Sequence, residues 1–278
     1  MVEGRIRLVP AMALPPPSPD SAALVTGASS GIGADLARAL ARRGHGVVLV
    51  ARRAELLEAL AAELGEEHGV RAETLACDLS DPTARAAMLD RLGELGLTVE
   101  VLVNNAGFGS GGLFQELDQE RELQMVRLNV EAVVDLCGRF VPELVRAGRG
   151  AVLNVASTAS FQPLPRQATY GASKAFVATF TDALYADLRG TGVTATCLCP
   201  GPVETEFPDT AGIQDAADGL HSIFWTQSDY VAEEGVKGLE RGKRLVIPGA
   251  LNRVTALGGQ HAPRGLLLQL ASRFYPIK

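Results

Sequence analysis

The chain has 278 residues, 47% of them hydrophobic and 30 of them glycine, which is ample material for the buried core of a globular domain. A formal net charge of −6, only 5% aromatic residues and the lack of a basic run argue against nucleic acid as a partner. Four cysteines inside apolar stretches (Cys77, Cys137, Cys197, Cys199), without a histidine cluster, read as buried core thiols of a reducing compartment; neither a disulfide frame nor a metal site is expected.

In chain order, residues 1–20 come first, with the run Leu14-Pro15-Pro16-Pro17-Ser18-Pro19. Prolines this dense favour an extended, solvated arm. No long apolar stretch precedes it and no apolar run reaches the ~20 residues a membrane span needs, so a cytoplasmic protein is expected. Apolar runs and helical patterns then alternate. Strands are expected at 22–26, 47–51, 71–77, 99–103, 151–155, 193–198 and 244–247. Helices are expected at 32–43, 54–64, 82–95, 118–146 (one long helix through Gly138 and Pro142), 168–189 and 229–241. Near-continuous apolar strands separated by helices indicate an α/β fold: a Rossmann-type doubly wound parallel sheet of about seven strands, helices on both faces. No linker interrupts the pattern, so residues 21–278 read as one domain.

Polar motifs stand where strands end. The turn Thr26-Gly27-Ala28-Ser29-Ser30-Gly31-Ile32-Gly33 joins the first strand to the first helix. Its glycines permit a tight turn and let backbone N–H groups approach a pyrophosphate at a helix N-terminus. Asn104-Asn105-Ala106-Gly107, Ser157 and Pro200-Gly201 follow later strands, on the sheet edge where ligands of open α/β folds sit. After the second strand, where an NAD enzyme often places an acid, stand Arg52 and Arg53. A guanidinium suits a 2′-phosphate in charge and in its forked donors, so NADP(H) is expected in preference to NAD(H), resting mainly on Arg52 with help from Arg53. Tyr170 and Lys174 lie four apart on one helix face. A fixed cation beside a phenol favours the phenolate, so Tyr170 is expected to titrate nearer neutrality and to move protons.

Taken together, T-G-A-S-S-G-I-G at 26–33, Asp78, N-N-A-G at 104–107, Asn129, Ser157, Y-x-x-x-K at 170–174 and P-G-P-V-E-T at 200–205 resemble the short-chain dehydrogenase/reductase family in its compact form. Ser157 precedes Tyr170 by thirteen residues, as the family pattern requires, and the resemblance covers about residues 20–250. It implies Tyr170 as catalytic acid/base, Ser157 hydrogen-bonding the substrate oxygen, and Lys174 lowering the phenol pKa while holding the nicotinamide ribose. Asn129 would keep a water chain to Lys174. The implied cofactor contacts are Gly27, Ser29, Ser30, Gly31, Ile32, Gly33, Arg52, Arg53, Asp78, Leu79, Asn105, Ala106, Gly107, Tyr170, Lys174, Pro200, Gly201, Val203 and Thr205. Many NADP-preferring relatives carry a basic residue where this chain has Ser30.

The segment 206–228, with Phe207, Ile213, Leu220, Ile223, Phe224 and Trp225, fits either a lid over an apolar substrate or an anchoring or subunit contact. Phe161, Pro163 and Leu164 are expected in the pocket. Helices 118–146 and 168–189 resemble the family's subunit interface, implying a homodimer or homotetramer. The apolar tail of the 250–278 extension, 264–270, is expected to pack on the body or a neighbouring subunit rather than on a membrane surface. The reading is an NADP(H)-dependent oxidoreductase interconverting a ketone or aldehyde and an alcohol. The alternative is a non-catalytic dinucleotide-binding sensor or scaffold on the same fold, which loss of Ser157, Tyr170 or Lys174 would have favoured.

Overall fold

Seven short runs rich in Val, Leu and Ala form the strands, and all pair in parallel. They are β1 (Ser21–Thr26), β2 (Gly46–Ala51), β3 (Ala72–Ala76), β4 (Thr98–Asn104), β5 (Gly150–Val155), β6 (Val193–Leu198) and β7 (Leu245–Val246), in the order β3-β2-β1-β4-β5-β6-β7. The computed structural model describes residues 14–214, 222–265 and 267–269. The first part of the proline-rich arm (1–13), residues 215–221 of the expected lid with Leu220, and Leu266 and Leu270 of the tail lie outside them. Within the arm, Pro15 is buried and Leu14 packs against the core.

Both sheet faces are covered, which is why β1, β2, β5 and β6 are buried along their full length. One face packs against α1 (Gly31–Ala41), α2 (Ala54–His68) and α8 (Ser228–Glu240), through Leu36, Leu57, Leu64, Val231 and Val236. The other packs against α3 (Pro82–Glu94), α5 (Ala132–Ala147) and α6 (Ala168–Asp187), through Met88, Leu136, Phe140 and Val177. The helix expected over 118–146 is two α-helices, α4 (Gln119–Val126) and α5, joined through a π turn at Arg127–Glu131. Two further helices had no counterpart in the sequence reading: α7 (Phe207–Ala211) and α9 (Ala250–His261).

The sheet reverses its winding at β1, whose neighbours β2 and β4 lead to opposite edges. The carboxyl ends of β1 and β4 therefore open a crevice, the position where folds of this type hold ligands. Thr26 locks its two walls together. Its hydroxyl donates to Val103 O (3.1 Å) and accepts from the N–H groups of Asn105 (2.9 Å) and Ala106 (3.0 Å). One register further, Asn104 Nδ2 donates to Asn154 Oδ1 (2.8 Å), and Asn154 Nδ2 to Thr181 Oγ1 of α6 (3.0 Å). This buried amide chain fixes β4, β5 and α6 at the end of the sheet that carries the site.

Candidate active site

A cleft of about 1340 Å³ runs along the carboxyl edge of the sheet. Its walls include Gly27, Ser29, Ser30, Gly31, Ile32 and Gly33 at one end and Ser157, Tyr170 and Lys174 at the other. Arg52, Arg53, Asp78, Leu79, Asn105, Ala106, Gly107, Pro200, Gly201, Val203 and Thr205 also border it. Asn129, alone of the expected catalytic and cofactor residues, stands behind the wall, buried.

The Gly-rich turn is built for close approach. Gly27 and Gly31 hold φ of 67° and 53°, which side-chain-bearing residues rarely adopt. Gly33 lies so close to the Gly27 carbonyl and Asn105 Nδ2 that a Cβ would overlap both. Thr205 faces the turn from across the cleft: a Cβ on Gly31 would stand 3.0 Å from its Cγ2. Thr205 also accepts the N–H of Phe207 (3.3 Å), so it caps the first turn of α7. Asp78, which borders the cleft, accepts through Oδ1 from the backbone N–H and hydroxyl of Ser80 (2.9 and 2.7 Å).

Beside the turn, the two arginines differ. Arg53 donates through Nε and Nη2 to Ser29 Oγ (3.2 and 3.0 Å), through Nη2 to Ser30 Oγ (2.6 Å), and through Nη1 to Glu206 Oε2 (3.1 Å). Arg52 is exposed on the rim and makes no side-chain hydrogen bond among the described residues. Arg53 thus stands against the Gly-rich turn while Arg52 does not, and Ser30, where many relatives carry a basic residue, is itself held by Arg53.

At the other end, Ser157 leaves β5 in extended conformation and accepts the N–H of Ala159 (3.1 Å). Its hydroxyl donates to Pro200 O (3.5 Å) and lies near enough to the Tyr170 phenol to favour the phenolate. Burial works the other way and wins: the Tyr170 pKa is pushed up to about 12. The phenol is thus held protonated at neutral pH, a departure from the expected shift toward neutrality. Lys174 explains why. Its Nζ lies 6.0 Å from the Tyr170 ring centroid and donates to Val155 O (2.9 Å), and burial lowers its own pKa to about 8. A cation at that distance does not offset the desolvation of the phenol.

Asn129 sits in the π turn, where the altered winding turns its side chain inward. Nδ2 donates to Phe108 O (3.0 Å) and Ser173 Oγ (3.0 Å), and Oδ1 accepts from Phe108 N (3.2 Å). It staples the loop after β4 to α6. Both its Oδ1 and Lys174 Nζ face Gly107, where a Cβ would meet them at 2.9 and 3.3 Å.

Phe207, near the start of the 206–228 segment, packs against Tyr170. The Phe207 ring lies 5.3 Å from the Tyr170 ring, centroid to centroid, and a Cβ on Gly109 would meet Phe207 Cζ at 2.8 Å. Arg121 of α4 stacks over Phe108 (5.1 Å) and donates to Thr210 O (2.6 Å), clasping α7 in place. Leu164, Pro163, Ile213, Phe224 and Trp225 line the cleft, whereas Phe161 packs into the core behind it. Sequence reasoning passed over Phe108 and the α9 residues Asn252, Thr255 and Ala256, which also border the cleft, and Arg121, which stacks on Phe108 behind it. Asn252 is buried, donates to Phe224 O (3.2 Å) and crowds Gly201. The close fit of Gly201 was the one available signal.

The family model for short chain dehydrogenases matches residues 21–215 of this chain. The chain belongs to the short-chain dehydrogenase/reductase family. Among curated short-chain dehydrogenase/reductase relatives, sulfoacetaldehyde reductase 2 of Chromohalobacter salexigens is 40% identical over 202 residues, 71% of this chain and 79% of that protein. A putative ketoacyl reductase of Streptomyces coelicolor is 38% identical over 236 residues, 84% of this chain and 88% of that one. A solved short-chain dehydrogenase from Sphingobium yanoikuyae, in complex with NADPH, superposes with a TM-score of 0.77 at 35% identity, covering 93% of this chain and 96% of that one. The chain is a short-chain oxidoreductase, and its family binds a nicotinamide dinucleotide.

The cleft of this short-chain dehydrogenase/reductase fits such a cofactor. The glycine cradle leaves backbone approachable where side chains would block it, and the Lys174 ammonium, buried, has one carbonyl partner and no carboxylate among the described residues. Its remaining donors need acceptors, which ribose hydroxyls would provide. Gly33→Ala should therefore force the cradle apart, destabilise the protein by about 1–3 kcal/mol and abolish cofactor binding. A fluorescence titration showing wild-type cofactor affinity in that variant would contradict this fit. Among the described residues no helix is long and apolar enough to cross a membrane, and no group of three His, Cys, Asp or Glu side chains could hold a metal ion.

Proposed function

We propose that the chain is an NADP(H)-dependent oxidoreductase that interconverts an apolar ketone or aldehyde and its alcohol, with Tyr170 as acid/base. The observation that carries the reading is the convergence of Ser157, Tyr170 and Lys174 on one wall of the cleft, with the Lys174 ammonium 6.0 Å from the Tyr170 ring centroid. The cofactor, when bound, supplies or accepts the hydride. The protein does the rest. Ser157 and Tyr170 present two O–H donors to one substrate oxygen, stabilising the negative charge that develops there. Tyr170 holds its proton to about pH 12 in this state, so at neutral pH it donates that proton to the oxygen as reduction proceeds. Lys174 supplies positive charge 6.0 Å from the ring centroid, favouring the phenolate that forms on proton transfer. Phe108, Leu164, Phe207 and Ile213 exclude water and favour an apolar substrate.

Arg53 supports NADP(H): with Ser29 and Ser30 it forms a cationic, hydroxyl-lined pocket beside the Gly-rich turn, suited to a 2′-phosphate. Arg53→Asp is expected to reverse selectivity between NADPH and NADH, whereas Arg52→Asp produces a smaller shift. Cofactor titrations check this; equal effects of the two substitutions would return the role to Arg52. Apolar Leu123, Val126, Val134 and Phe176, exposed on α4, α5 and α6, support a homodimer or homotetramer built on that face. Four buried free thiols fit a reducing, cytoplasmic setting. The test of the reading is loss of nicotinamide absorbance on mixing protein, NADPH and a panel of ketones, aldehydes and diketones. Turnover of apolar members supports it; tight NADPH binding with no turnover in either direction would put a binding module in its place.

A further inference from the structure

We infer that Glu206 is a tethered competitor for the phosphate of the cofactor: it occupies Arg53 when no phosphate is present and sets how strongly NADP(H) is preferred. The inference rests on the reading of Arg53 as the 2′-phosphate site and deepens it.

The geometry is specific. Arg53 uses Nε and Nη2 on Ser29 and Ser30, which orients the guanidinium over the Gly-rich turn. That leaves Nη1, and Glu206 Oε2 takes it at 3.1 Å. Glu206 comes from the far side of the cleft, one residue after Thr205, which faces Gly31. Its carboxylate therefore stands at the edge of the same pocket, together with Ser30. A phosphate dianion arriving there would meet a carboxylate already on its guanidinium. Like charges at that spacing repel, and one guanidinium fork cannot serve both fully. Glu206 must yield. A cofactor without the 2′-phosphate makes no such demand and leaves the pair intact. The side chains are partly exposed, 41% for Arg53 and 63% for Glu206, so the competition is of the strength of a surface ion pair and weakens with salt.

The pair also reaches the substrate end. Phe207, which covers Tyr170 at 5.3 Å, is the residue after Glu206. What holds Arg53 thus also anchors the first turn of α7.

Trp225 gives a direct readout, since it is the one tryptophan of the chain and lines the cleft. Its fluorescence is titrated with NADPH and with NADH for wild type, Glu206→Gln, Arg53→Gln and the double variant, at low and high salt. Glu206→Gln should bind NADPH about three- to fivefold more tightly at low salt, less so at high salt, with NADH affinity unchanged. In the Arg53→Gln background the same substitution should have a clearly smaller effect, since only the direct repulsion between carboxylate and phosphate remains. An unchanged NADPH affinity in Glu206→Gln, or an equal gain for NADH, would overturn the inference. The reading beneath it fails separately. Wild type binding NADH more tightly than NADPH would reject NADP(H) preference, while a NADPH-selective gain in Glu206→Gln would still support the competition.

Discussion

Replacing Tyr170 by phenylalanine is expected to lower carbonyl reduction by about 10²–10⁴-fold, the range of a lost general acid, with cofactor affinity unchanged. The substitution is nearly isosteric. It keeps the ring against Phe207 and within the small cluster of Met125 and Ala159. Ser157 loses its phenol neighbour but keeps the Ala159 N–H, so the floor of the cleft survives. What disappears is the group proposed to give up its proton to the substrate oxygen, while the Ser157 hydroxyl remains beside it. Steady-state kinetics paired with an NADPH titration checks this. A variant retaining most of its turnover would move the acid elsewhere; a variant that also loses NADPH binding would show a structural effect instead.

Lys174→Met is the second large effect, and it should separate activity from stability. Turnover is expected to fall about 10²-fold or more, because the fixed charge behind the phenol is gone. The unliganded protein should nevertheless gain stability at pH 7. Burial lowers the Lys174 pKa from 10.5 to about 8, so the folded state carries a penalty for holding the charged ammonium. Below pH 8 the penalty is present in full. Between pH 8 and 10.5 the unfolded chain binds the extra proton, so wild-type stability rises with pH and the penalty fades. Above pH 10 Tyr170 acts in the opposite sense: the fold keeps its proton to about 12, so stability then falls. Loss of the hydrogen bond to Val155 O subtracts about 1 kcal/mol from the gain. Thermal unfolding of both proteins from pH 7 to 10.5 should show the variant ahead at pH 7 and the gap closing as pH rises. A constant gap would mean that Lys174 does not titrate in this window.

The strands and most helices were legible because their signals are local. An apolar run of five or six residues after a turn can bury both faces only in a covered parallel sheet, and residues 22–26, 47–51 and 193–198 have no other use. The π turn at Arg127–Glu131 was not legible, because one extra residue in a winding leaves no trace in composition. Helix α9 had no strong local signal, because its apolar face is short and it carries Gly258-Gly259; tertiary contacts around Asn252 hold it. The cleft residues follow the same division. Tyr170, Lys174 and Ser157 could be placed by spacing on a helix and after a strand. The roles of Arg52 and Arg53 could not be ranked that way, since the ranking depends on Ser29, Ser30 and Glu206 converging from two distant segments. Likewise the Tyr170 pKa is set by desolvation, which a sequence does not display.

The most direct test of the account is transfer of label. NADPH carrying deuterium at the nicotinamide reducing position is incubated with the protein and an apolar ketone in ordinary water, and the alcohol is analysed by mass spectrometry. One deuterium is expected on the new carbinol carbon, with the oxygen-bound proton coming from Tyr170 and exchanging with solvent. Alcohol without deuterium, or no alcohol from any carbonyl that binds, would contradict direct hydride transfer in this cleft.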